Sequence, residues 1–238
     1  MKEWFENYAA NHLGIEFRFD KNEYDIISNG YHNIYKQFLP ESRNSKILDI
    51  GCGTGHFLFL LKKLGYTNYM GIDASSESID FCNDWVTSNV QKADCYTFLK
   101  NREEKWDLIV MNDVIEHIHK NKIIPILELI YSSLPIGGTL IIKTPNLENP
   151  FCSYTRYIDF THQIGFTGNS LVQVLKMSGF NEISIYPYKT RDKIAINELI
   201  IRIVQKIVYS SILRAFSYPP EGRYRYPYSR HIFAVAKK

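Results

Sequence analysis

Three clusters in this 238-residue chain carry residue types that could do chemistry. The first is LDIGCGTGHF, residues 48–57, where Asp49 precedes Gly51, Gly53 and Gly55 at every second position. Glycines so spaced let a backbone turn tightly and approach a ligand without side-chain collision. A dinucleotide-binding loop would read G-x-G-x-x-G instead, to seat a pyrophosphate on a helix N-terminus. Here an acid stands at the mouth, which suits a cationic group. The second cluster is DFTHQIGFT, from Asp159 to Thr167, an acid, a histidine and several hydroxyl or amide groups around Phe160 and Phe166. A histidine near its ordinary pKa of about 6.5 can accept a proton from a hydroxyl nucleophile. This makes His162 a candidate general base, with Asp159 to orient it or to touch substrate. The plainer alternative is a histidine that hydrogen-bonds only within its own loop. The third cluster is DVIEH, where Asp113, Glu116 and His117 could share one face at the start of a helix. With His162 they would make a divalent-metal set, but they equally suit a polar cleft floor, and no metal is assigned.

These residues need a frame. KILDIG reads as a short buried strand and HFLFLLKKLG as a helix closed by Gly65. NYMGID is a second strand, and SSESIDFCNDWV a helix opened by a serine cap. WDLIVMND is apolar on both faces, as a central parallel strand must be. A helix, IIPILELIYSSL, and another strand, GTLIIKTP, follow. Regular strand–helix alternation predicts a parallel α/β sheet with the clusters at the strand C-terminal ends, where open sheets bind ligands. EISIYP and HIFAVAKK are expected as neighbouring antiparallel edge strands. The region before residue 45 reads as helical, with Tyr31, Ile34, Tyr35 and Phe38 on one face.

The length suits one well-buried core. No apolar run reaches a membrane span, and the first residues lack the apolar stretch of a signal peptide. The four cysteines form no CxxC pair, which predicts free thiols, a reducing cytoplasm and no zinc. The net charge of +3 is segregated: residues 189–238 hold 11 Lys/Arg and 3 Asp/Glu, a surplus of +8 against −5 elsewhere. Such a region either is a solvated tail or attracts an anionic partner. Residues 196–216 predict a helix with a wide apolar stripe, suited to core packing, a homodimer or peripheral membrane contact. Arg223 and Arg225, among tyrosines, suit a phosphate or sugar.

ILDIGCGTG resembles motif I of the class I S-adenosylmethionine-dependent methyltransferases. GIDASSESI, ADCYTFL, WDLIVMNDVIEHI and LPIGGTLIIKTPN match the family's later motifs in order, over roughly residues 45–146. The resemblance implies a Rossmann-like class I methyltransferase fold, α/β, with a mostly parallel seven-stranded sheet whose last strand is antiparallel. It implies S-adenosylmethionine as cofactor, held by Asp49, Gly51, Cys52, Gly53, Gly55, Asp73, Ala74, Asp94, Cys95 and Asn112. Asp73 would hold the ribose hydroxyls, and Asp94 and Cys95 would flank the adenine. One domain is expected over 1–238, with a helical cap (1–45), a cofactor core (46–146), a substrate lid (147–168) and a helical insertion (188–228).

After residue 146 the chain is similar, more loosely, to O-methyltransferases of bacterial surface-polysaccharide clusters and of ubiquinone synthesis. That implies a small anionic acceptor, a phosphorylated or nucleotide-linked sugar or a capsule phosphoramidate-type precursor. The alternatives are a metal-dependent RNA or quinone-type O-methyltransferase and a non-catalytic cofactor-binding partner. Nucleic acid is disfavoured because an N-P-P-Y-type motif is missing.

Overall fold

The computed structural model describes residues 18–149, 152–188 and 229–238, with six positions between 203 and 211. Its elements in chain order are α1 (Lys21–Tyr35), β1 (Ile47–Ile50), α2 (His56–Lys63), β2 (Tyr69–Asp73), α3 (Ser76–Trp85) and β3 (Val90–Lys92). Then come α4 (Cys95–Lys100), β4 (Leu108–Asn112), a 3-10 turn (Ile115–His117), α5 (Lys120–Ser133) and β5 (Thr139–Pro145). The described chain closes with α6 (Ser153–Tyr157), α7 (Gly168–Met177), β6 (Glu182–Tyr188) and β7 (His231–Lys237). Helix starts are capped by short polar side chains: Asp20 for α1, Ser75 for α3, Asp94 for α4 and a Thr167–Ser170 capping box for α7.

The strands form one sheet of order β3-β2-β1-β4-β5-β7-β6. β3, β2, β1, β4 and β5 pair in parallel, and β7 runs antiparallel to both β5 and β6. The expected seven-stranded, mostly parallel sheet is therefore the observed one. One expectation needs correcting: β7 is not an edge strand. It is inserted between β5 and β6, and its Ile232–Ala236 run is buried throughout, whereas β6 is largely half-exposed and forms the edge.

Alternate residues of the central strands feed two apolar layers. Leu48, Ile50, Ile109, Met111, Leu140 and Ile142 pack with α5 and α7, through Ile126, Ile130, Leu171 and Leu175. Ile47, Leu108, Val110, Ile141 and Phe233 pack with α1 and α2, through Tyr24, Tyr35, Phe57 and Leu61. α1 thereby sits across the C-terminal edge of the sheet, where the Tyr35 hydroxyl donates to Asn112 Oδ1 at 2.8 Å. Of the predicted apolar stripe, the described Ile203, Val204, Ile207 and Val208 are helical and exposed; the rest lies outside the described residues.

Candidate active site

The glycine loop leaves β1 and is bent over β2 by Gly51 N–H and Cys52 N–H, which donate to the Ile72 carbonyl at 2.8 and 3.0 Å. Gly51, Gly53 and Gly55 have φ of +70, +51 and +84°, the left-handed region that glycine tolerates. Two of them differ in purpose. A Cβ on Gly51 would fall 2.3 Å from Val114 Cγ2, so close packing against the turn after β4 requires its bareness. A Cβ on Gly53 would meet nothing within 4 Å, so there the chain faces open space. That space is a cavity of about 190 Å³. It brings together Asp49, Gly51, Cys52, Gly53 and Asn112 of the predicted set. Tyr31, Thr54, His56 and Phe57 complete the lining and lie outside the set of site residues expected from the sequence. Their signal was faint: Tyr31 looked like one more apolar-face residue of a helix.

Asp49 dominates the electrostatics of this cavity. Its side chain is buried and its Oδ1 has no hydrogen-bond partner. Burial, and then the nearby Asp73 charge, push its carboxyl well above the ordinary carboxylate range. A buried acid in this condition is costly until a cation arrives. The ammonium of an S-adenosylmethionine amino-acid tail is such a cation, so the residues present fit the implied cofactor.

The remaining predicted cofactor residues do not line this cavity. Asp73 rivets the loop to β2: its Oδ2 accepts from Gly53 N–H at 2.9 Å and its Oδ1 from Ser75 N–H at 2.8 Å. Ala74 lies between these contacts. A Cβ on Gly55 would press on Cys82 Sγ at 2.9 Å, so Gly55 serves packing. Asp94 caps α4, accepting from Thr97 N–H and Oγ1–H at 3.0 Å each, and Cys95 opens that helix.

A second polar cluster lies beyond the turn after β4. Gln163 N–H and Ile164 N–H donate to the Glu116 carbonyl at 2.7 and 3.2 Å, which clamps the predicted lid onto this turn. Within this segment Phe166 is buried, whereas Phe160 is 87% exposed. The lid also contains α6, which sequence patterning did not reveal. His162 Nδ1 lies 2.9 Å from the Thr155 carbonyl. A carbonyl only accepts, so Nδ1 carries a proton, and in the neutral ring the lone pair is on Nε2. Asp159 is 4% exposed; its Oδ1 accepts from Thr161 N–H and Oγ1–H at 2.8 and 2.7 Å, and its Oδ2 lies 3.8 Å from His162 Nε2. The Thr155 carbonyl thus holds Nδ1, and the Asp159 carboxylate faces the Nε2 side of the ring. Thr161 Oγ1 also meets His117 Nδ1 at 2.8 Å.

The rings of His117 and His162 stand edge to face, 4.6 Å apart. Glu116, buried beside them, accepts from Thr144 through Oε2 at 3.0 Å, while its Oε1 has no partner. Burial, and next the Asp113 charge, push its carboxyl up to about 8. Ligand atoms of Glu116, His117 and His162 lie within 4.8 Å of one another. The cluster that the sequence set aside is thus assembled in space, although Asp113 is not part of it. Arg223 and Arg225 lie outside the described residues.

The family model described as a methyltransferase domain matches residues 19–185. The phosphoethanolamine N-methyltransferase of Plasmodium falciparum is 29% identical over 179 residues, covering 67% of this chain and 65% of that protein. The mitochondrial ubiquinone biosynthesis O-methyltransferase of Rattus norvegicus is 32% identical over 127 residues, covering 50% of this chain and 35% of that protein. The chain therefore spans between about a third and two thirds of the length of these curated relatives. Among solved structures, a SAM-dependent methyltransferase from Archaeoglobus fulgidus superposes with a TM-score of 0.70 at 23% identity, covering 90% of this chain and 94% of that one. The family model covers more than half of the chain, and the chain belongs to the family of S-adenosylmethionine-dependent methyltransferase domains.

Proposed function

We propose that this protein is an S-adenosylmethionine-dependent O-methyltransferase acting on a small, polar, anionic acceptor, such as a phosphorylated or nucleotide-linked sugar precursor of a bacterial surface polysaccharide. When bound, the cofactor would supply an electrophilic methyl group, which an acceptor oxygen takes in line as the carbon–sulfur bond breaks and neutral S-adenosylhomocysteine leaves. Asp49 holds the cofactor's cationic tail, and Asn112, fixed by Tyr35, borders the cavity at the end of β4. The acceptor hydroxyl must lose a proton. The observation that carries the oxygen-acceptor reading is the contact of His162 Nδ1 with the Thr155 carbonyl, which in the neutral ring leaves Nε2 able to receive that proton. Four unpaired thiols support a reducing, cytoplasmic setting.

Replacing His162 with alanine is expected to preserve cofactor affinity and lower turnover at least about 100-fold. Near-normal turnover of His162→Ala would remove the base from the mechanism. The acceptor class is read by incubating the enzyme with labelled cofactor and separate pools of sugar nucleotides, quinone precursors and RNA. Label entering none of them would favour a non-catalytic binding partner.

A second reading is favoured by one observation, the convergence of Glu116, His117 and His162 with a buried, unpartnered Glu116 Oε1. There the three residues hold a divalent cation that activates the acceptor oxygen, and His162 is a ligand instead of a base. Dialysis against EDTA separates the two. Activity that persists supports the base; activity that is lost and returns with magnesium or manganese supports the metal.

A further inference from the structure

Lys143 is a cation in the middle of the apolar run of β5, and neither role above uses it. Its side chain is 10% exposed and pairs with the Asp113 carboxylate. Burial alone would lower its pKa, but Asp113 and the neighbouring tyrosines hold it above the ordinary lysine value, so the ammonium stays charged. Its Nζ lies 4.7 Å from the centre of the Tyr188 ring and 5.8 Å from that of Tyr31. Replacing a buried ion pair with apolar side chains is often neutral or stabilising, so packing does not explain this one. Asp113 is also the one described non-glycine residue with positive φ, +54°, a conformation that recurs at functional sites.

Both members keep unused hydrogen-bonding capacity. An ammonium has three donors. Among the described residues, Asp113 is the acceptor paired with Nζ, while Asp113 Oδ1 is buried with no partner of its own. The Asp113 side chain is 41% exposed, which leaves a way in from solvent. The pair also adjoins the cofactor cavity. Tyr31 lines that cavity, as does Asn112, which precedes Asp113 and is the β4 partner of Lys143 in the sheet register.

We infer that the Lys143–Asp113 pair is the anchor of the acceptor. The Lys143 ammonium binds an ionised oxygen, Asp113 Oδ1 accepts from a hydroxyl, and Tyr31 and Tyr188 wall the slot. This rests on the transfer reading above and deepens it: the acceptor is a small oxyanion, a carboxylate or a phosphate ester, that also bears a hydroxyl. It places the anionic recognition on the sheet itself, not on the arginines near the C-terminus.

The test is calorimetric titration of the protein, saturated with S-adenosylhomocysteine, with inorganic phosphate and, separately, with benzoate at low salt. Saturable binding of at least one anion is expected, and the anion preferred distinguishes a phosphate ester from a carboxylate. Lys143→Met should weaken that binding at least about tenfold, and Asp113→Asn, which frees the ammonium, should strengthen it about threefold or more. Absence of binding to the wild type, or equal binding to Lys143→Met, overturns the anchor. Should Lys143→Met fail to fold, Asp113→Asn decides, and unchanged or weaker binding by that variant overturns it as well. Failure of the transfer reading is recognised separately, as absence of label transfer from S-adenosylmethionine to any acceptor pool by the wild-type protein.

Discussion

At the scale of single residues, the site is organised by groups whose burial makes sense only with a ligand. Asp49 is the clearest. Its Oδ1 is buried and unpartnered, and its carboxyl is raised well above the ordinary range. Asp49→Asn is therefore expected to act in opposite directions on binding and stability. Loss of a charge-assisted contact should weaken cofactor affinity about tenfold or more by calorimetry. Removal of a carboxyl whose ionised form burial penalises should raise the melting temperature of the cofactor-free protein by a few degrees, roughly 1 kcal/mol. A variant that binds cofactor normally would detach Asp49 from the site. Asp49 and the glycines were legible in the sequence because an acid followed by alternating glycines is local. Tyr31, His56 and Lys143 were not. Each sits within an otherwise ordinary helix or strand pattern, and only folding brings them to the cavity wall or beside it.

At the scale of elements, the segment 147–168, proposed as a substrate lid, depends on a close approach of two backbones. Asn146 and Phe166 form an isolated parallel bridge, and Leu147 N–H donates to the Phe166 carbonyl at 2.8 Å. A Cβ on Gly165 would fall 1.8 Å from Leu147 Cδ1 and 2.5 Å from its Cγ. Gly165→Ala must displace Leu147, at a cost of about 1–3 kcal/mol for overpacking. Because the same loop presents His162, turnover should fall more than cofactor affinity. Steady-state kinetics beside a thermal melt checks this; an unchanged melting temperature together with unchanged turnover would show that the lid tolerates the extra carbon. The strands and helices of the core were readable from periodicity and caps. The lid was readable only as a polar segment after β5, since its short helix and its clamp on Glu116 come from contacts distant in sequence.

At the scale of the whole molecule, burial of polar groups against the sheet edge sets a pH dependence. His56 stacks on Tyr24, with ring centres 4.2 Å apart, and burial lowers its pKa to about 4. In the unfolded chain it titrates near 6.5. Below about pH 6.5 the unfolded state takes up a proton that the native state refuses, so stability falls as pH drops, until the native histidine itself titrates near 4. At pH 7 and above His56 carries no penalty. His56→Gln should therefore gain on the wild type between pH 7 and pH 5, by up to about 1 kcal/mol per pH unit. Denaturant midpoints at the two pH values measure it, and a constant gap between the proteins would mean that His56 ionises freely in the fold.

By itself the sequence determined the alternating architecture, the glycine loop and the acids at the strand ends, because these features lie within a few neighbouring residues and follow from backbone geometry and periodicity. Even the antiparallel sense of β7 was legible. Its place inside the sheet was not, because strand order depends on which edge buries the Ile232–Ala236 run. Tertiary structure alone decided that Glu116, His117 and His162 meet, that Asp159 is buried beside His162, and that the Lys143–Asp113 pair stands beside the cavity of the glycine loop. The physical reason is common to all three: side chains from β5, from the turn after β4 and from the lid are far apart along the chain, and what they can do depends on the burial and the partners they acquire at one edge of the sheet.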